Sequence, residues 1–92
     1  MTQLRRLLPG EFYAHQAFDD RTVNCGALVF DCEWCGGIVE SGVLLGGRFH
    51  AGEFRGGTFL GGVFMGGKWL GGHWEYGFDS TGTYRPRGDP PL

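Results

Sequence analysis

The sequence has no apolar run approaching the ~20 residues that a helical membrane span needs. Nor does it open on a secretory signal: residues 1–10 carry Arg5 and Arg6 among scattered leucines, with no apolar core. Only 4 of its 92 residues are proline, so its 19 glycines do not make a collagen, which needs glycine at every third place with abundant proline. Cysteines number 3, an odd count that does not describe a disulfide framework. Free thiols in a reducing cytoplasm are the expectation. Charge of one sign is also missing. A formal net charge of -2 gives no reason for the chain to bind nucleic acid or an anionic membrane directly.

A short period is present instead. From Ala27 to Tyr76 the chain divides into ten blocks of five: ALVFD, CEWCG, GIVES, GVLLG, GRFHA, GEFRG, GTFLG, GVFMG, GKWLG and GHWEY. The third place is always large and apolar, running Val29, Trp34, Val39, Leu44, Phe49, Phe54, Phe59, Phe64, Trp69, Trp74. The first place is always small: Ala27, Cys32, then glycine in the remaining eight blocks. A period of five fits neither a helix at 3.6 nor a flat strand at 2. It fits a chain that turns a corner every five residues, with glycine supplying the corner conformations and large and small residues packing together inside.

This pattern resembles the pentapeptide-repeat family, whose blocks place a small residue first and a Leu or Phe at the centre. The likeness is clear over 27–76 and weaker over 22–26 and 77–81, where Asn24 and Asp79 hold the centre. It implies an all-β fold, a right-handed, four-sided β-helix with four blocks per coil and about three coils in this chain. Solenoid ends expose core and unpaired backbone, so caps are expected. Residues 1–21, with Leu4, Leu7, Leu8, Phe12, Tyr13 and Phe18, are the candidate N-terminal cap. Residues 22–81 form the solenoid, with Tyr76, Phe78 and Tyr84 as candidate cover for its far end. Residues 82–92 read as a tail, frayed from Arg85 onward.

The second and fourth places of each block point outward and carry whatever the protein recognises with. At twenty residues per coil, Glu33, Glu53 and His73 stack beside Cys35, Arg55 and Glu75, an acid-rich face on which His73 lies near Glu53. Another face stacks Val43 and Val63 beside Leu45 and Met65, flanked by Ile38 and Leu60, with no charge. An exposed apolar patch of this kind marks a dimer or partner surface unless the N-terminal segment folds over it. Some pentapeptide-repeat proteins present carboxylates along a rod and so imitate duplex DNA. The resemblance therefore implies a binding inhibitor in which Asp31, Glu33, Glu40, Glu53 and Glu75 stand in for phosphates. Its partner would be a nucleic-acid-binding protein, such as a gyrase-type topoisomerase or a CRISPR defence complex met by a phage anti-CRISPR protein. The alternative is a structural or assembly module working through the apolar face and the solenoid ends.

Catalytic chemistry has little support. Cys32-x-x-Cys35 has metal-ligand spacing, but the block pattern turns Cys32 inward and Cys35 outward, and no second such pair follows. His15, His50 and His73 share no ligand spacing. None of the glycine-rich stretches ends in the Lys-Ser or Lys-Thr of a phosphate-binding loop. No metal, no cofactor and no enzyme activity are expected.

Overall fold

The computed structural model describes residues 4–91. Residues 1–3 of the expected cap and Leu92 of the expected tail lie outside that range. Ten strands make one sheet: β1 (Arg5–Leu7), β2 (Phe12–Ala14), β3 (Ala17–Phe18), β4 (Thr22–Phe30), β5 (Glu33–Leu45), β6 (Arg48–Phe54), β7 (Thr58–Phe64), β8 (Lys68–Trp69), β9 (His73–Phe78) and β10 (Tyr84–Arg85). All pair in parallel except β10, which returns antiparallel on β9. The chain is thus a β-solenoid, and the block pattern was a correct guide to that architecture.

The length of a coil differs from the expectation. Leu28 pairs with Val43, Val43 with Thr58, and Thr58 with His73, so residues fifteen apart stack. Glu33, Arg48, Val63 and Phe78 repeat the step, as do Ile38, Glu53 and Lys68. Three blocks, not four, complete a coil, and the strands fall into three parallel ladders. The ladder Leu7, Asn24, Val39, Phe54, Trp69 counts five rungs rather than three. A pattern of five cannot itself distinguish three blocks per coil from four. Every assignment of which outward residues are neighbours changes with that number.

The central residues do point inward. Val29, Trp34, Val39, Leu44, Phe49, Phe54, Phe59, Phe64 and Trp74 are buried, and Trp69 packs half-buried against them. Along a ladder the rings lie face to face one coil apart: Phe54 on Trp69 at 4.3 Å, Phe59 on Trp74 at 4.7 Å, Phe49 on Phe64 at 4.8 Å between centroids. Across ladders they meet edge to face, as Phe54 meets Phe59 at 6.0 Å and 76°. The edge-to-face contacts suit the ring quadrupole, each contributing about 0.5–1.5 kcal/mol beyond burial of area. The two centres that break the apolar rule are in register too. Asn24 pairs with Val39 and is fully buried; its side chain donates to Ala27 O and accepts from the N–H groups of Gly26 and Ala27. Trp34 is the one buried side chain among the described residues whose polar atom, Nε1, has no partner.

Glycine at the first place has a second cause beyond the corner. A Cβ on Gly67, whose φ is +95°, would stand 2.5 Å from the carbonyl oxygen of Gly52, one coil below. Backbones stacked this closely leave no room for any side chain.

Both ends are closed. Residues 5–18 do not fold over a face: β1, β2 and β3 pair with β4 and β5 as the first coil. Arg5 lies over the rings of Phe18 at 5.1 Å and Tyr13 at 5.5 Å, a cation covering the aromatic end of the stack. At the other end the chain is tied down rather than frayed. Asp79 succeeds Phe64 in its ladder, one residue beyond the Val63–Phe78 pair, and accepts from the hydroxyl and N–H of Thr81, the N–H of Thr83 and the Arg85 guanidinium. Those donors, the Thr81 hydroxyl foremost, hold its carboxyl down to about 2. Trp74 Nε1 donates to Arg85 O at 3.0 Å, and Gly88 N donates to Trp74 O at 2.9 Å. Tyr76, Phe78 and Tyr84 stay exposed, and Tyr84 pairs with Phe78 where β10 runs along the edge of β9.

Candidate interaction surface

With the fifteen-residue register, each ladder shows solvent one line of second-place and one line of fourth-place side chains. The first ladder (β2, one end of β4, one end of β5, β7, β9) carries Phe12, Leu28, Val43, Thr58 and His73 in one line. Its other line is Ala14, Phe30, Leu45, Leu60 and Tyr76. From Phe12 to Leu60 no paired residue bears a charge. Phe12 is 59% exposed, Phe30 41% and Tyr76 45%, while Val43, Leu45 and Leu60 are half-buried against their neighbours. Charge appears at its margins, in His73 and Glu75 at one end, in Glu11 before Phe12 at the other and in the His15–Asp31 pair (3.2 Å) beside Phe30.

The other two ladders are mixed. The second shows Glu33, Arg48 and Val63 in line, with Glu33 reaching both His50 Nε2 at 3.1 Å and Arg48 at 3.7 Å. The third shows Ile38, Glu53 and Lys68 in line, with Glu53 bound to Arg55 at 2.7 Å.

The expected acidic face is therefore not assembled. Glu33 belongs to the second ladder, Glu40 and Glu53 to the third, Glu75 to the first, and Asp31 to the corner between the first and second. Four of the five carboxylates have a basic neighbour: Asp31 with His15, Glu33 with Arg48 and His50, Glu53 with Arg55, Glu75 with Arg87. His73 pairs across to Thr58 rather than approaching Glu53, and the histidine that does meet a glutamate is His50. The expected apolar face is divided as well. Val43, Leu45 and Leu60 share the first ladder, whereas Val63 and Met65 lie on the second and Ile38 on the third. In their place the structure adds Phe12, Leu28, Phe30 and Tyr76. Folding the sequence at fifteen rather than twenty residues brings out Leu28–Val43–Thr58 and Phe30–Leu45–Leu60 directly.

Cys32 is buried and Cys35 exposed, in keeping with first and fourth places of a block. The Cys32 thiol accepts from Gln16 N at 3.4 Å and donates to Phe30 O at 3.2 Å, joining the first coil to the second. Among the described residues no three His, Cys, Asp or Glu side chains converge as metal ligands, and no helix is long and apolar enough to cross a membrane. No family model, curated protein or solved structure matches the chain.

Proposed function

We propose that this chain is a non-catalytic interaction module that works in the cytoplasm through the uncharged first ladder, a structural or assembly role rather than the blocking of a DNA-binding protein. Its block pattern relates it to the pentapeptide repeats, in a form with three blocks per coil. The observation that carries the reading is the continuous ladder Phe12–Leu28–Val43 beside Phe30–Leu45–Leu60, open to solvent along its length, with Phe12, Leu28 and Phe30 exposed, and without charge. A small protein rarely leaves such a face uncovered unless something binds there. Mimicry of a phosphate row needs unpaired carboxylates in line, and here they are spread over three ladders and mostly paired with bases.

Affinity capture with tagged wild-type chain, compared with two variants, separates the readings. Leu45→Glu on the ladder should abolish specific capture, including capture of untagged copies. The double change Glu33→Lys, Glu53→Lys should leave it intact and nearly independent of salt. Loss on the double change, with binding that weakens steeply as salt rises, is the outcome that favours mimicry instead.

A further inference from the structure

We infer that the occupant of the first ladder is a second copy of this chain, packed face to face with its solenoid axis antiparallel. The inference rests on the ladder being a binding surface and goes on to name the partner. Three observations support it.

The first is size. The molecule exposes 5140 Å² and measures 38 × 25 × 23 Å. Shared among three ladders and two ends, one ladder offers on the order of 1000 Å², against about 800 Å² per partner in a standard interface. The second is charge. A face without charge between Phe12 and Leu60 offers nothing to a polar partner, while a second copy brings an equally uncharged face. Closed ends leave the lateral face as the place for such contact: Arg5 covers one end and the Asp79–Arg85 knot ties the other.

The third observation is the gradient of bulk, and it sets the direction. The rungs run Phe12/Ala14, Leu28/Phe30, Val43/Leu45, Thr58/Leu60, His73/Tyr76. A two-fold axis lying in the interface, at right angles to the solenoid axis and level with the Val43/Leu45 rung, lays Leu28/Phe30 of one copy on Thr58/Leu60 of the other, large against small. It also lays Phe12 on the His73/Tyr76 rung. Parallel packing sets each rung against itself, Leu28/Phe30 on Leu28/Phe30 and Thr58/Leu60 on Thr58/Leu60, bulk on bulk and gap on gap, and brings the Glu75 ends of both copies together. The antiparallel arrangement avoids both faults.

The test uses the purified full chain. Sedimentation equilibrium over a concentration series should show a monomer–dimer equilibrium insensitive to salt. Leu45→Glu should weaken it by about 100-fold or more, because a central position is desolvated on both sides of the axis. Leu60→Glu is a second variant at a different rung, and Met65→Glu on the second ladder is the control that should leave the dimer unchanged. Circular dichroism checks that each variant folds. For direction, Phe12→Cys mixed with His73→Cys, both in a Cys35→Ser background, should cross-link to each other and not to themselves. Self-cross-linking of Phe12→Cys would replace the antiparallel arrangement with a parallel one. A chain that stays monomeric at millimolar concentration while Leu45→Glu still abolishes capture in the affinity experiment refutes the dimer and leaves the binding surface standing. Loss of both removes the ladder as an interface.

Discussion

The solenoid is built differently in its first coil and in those that follow. Between the first and second rungs the register is loose: Arg5 pairs with Thr22, Phe12 with Leu28 and Ala17 with Glu33, steps of seventeen, sixteen and sixteen residues. There the first places of the blocks hold Thr22, Ala27 and Cys32. From Val23–Ile38 onward the main step is fifteen and the first place is glycine without exception to Gly77. The one or two extra residues give the backbone slack, and a Cβ fits. Without it, successive backbones touch at the corner and only glycine is accommodated. Tight stacking has a return, because it sets the ring-over-ring spacing of Phe49, Phe54 and Phe59 on the residues one coil above. The first coil holds Leu7, Tyr13 and Phe18 at its centres, and there Phe18 meets Trp34 tilted at 43° rather than parallel.

The largest expected effect attacks that contrast directly. Gly52→Ala places a methyl group within 3 Å of the Gly37 carbonyl at a φ of +110°. It should cost about 2–4 kcal/mol by chemical denaturation, combining left-handed strain with the clash. The reverse change in the loose coil, Ala27→Gly, should cost only about 1–2 kcal/mol from lost burial and added chain freedom. Similar losses at the two sites, or a neutral Gly52→Ala, would show that glycine is not required by stacking.

The two polar centres give a second contrast. Asn24 lies between Leu7 and Val39 and is enclosed by covalently near neighbours, a place where a neutral amide satisfied by backbone suffices. Asp79 closes the end of its ladder beside Arg85 and is charged. Its folded-state value of about 2 lies below the ordinary 3.8, so it contributes stability above pH 4 that is lost as pH falls toward 2. Urea midpoints of the wild type should fall over that window. Asp79→Asn should start lower at pH 7 and show a shallower fall. An equally steep fall in the variant would assign the acid sensitivity to another carboxylate, such as Asp19, which the Arg21 N–H and guanidinium also hold down.

The smallest effect sharpens the comparison at one corner. His15, Asp31, Gly46 and Gly61 occupy corresponding corners of successive coils with φ of 55°, 51°, 71° and 83°. Glycine takes this conformation freely, whereas His15 and Asp31 hold it under strain. Asp31→Gly gives up an exposed ion pair worth little and relieves that strain, for a net gain of about 0.5 kcal/mol in thermal melts. A clear loss would mean that the His15–Asp31 pair fixes the first corner.

The candidate surface was legible only in part. Val43, Leu45 and Leu60 stand out from the sequence because their outward places carry no charge in a chain otherwise dotted with it. Phe12 does not, since it precedes the repeat and joins the ladder only because an extra residue brings it beside Leu28. Tyr76 shifts into line through an irregularity after Phe59–Trp74, which no block pattern contains. The carboxylates illustrate the opposite failure. Glu33 and Glu53 are twenty residues apart and were expected to stack, yet fifteen residues per coil sends them to different ladders.

What the sequence determined by itself is the inside and the outside. A bulky residue every fifth place beside a glycine two before it admits one economical packing, and side-chain direction follows from the position in the block. How many blocks close a coil is a tertiary matter. Every block is locally the same whether three or four make a turn, and the choice is made where backbones one coil apart come into contact and the rings stack. That contact decided which outward residues are neighbours, and with it that the continuous surface is apolar rather than acidic.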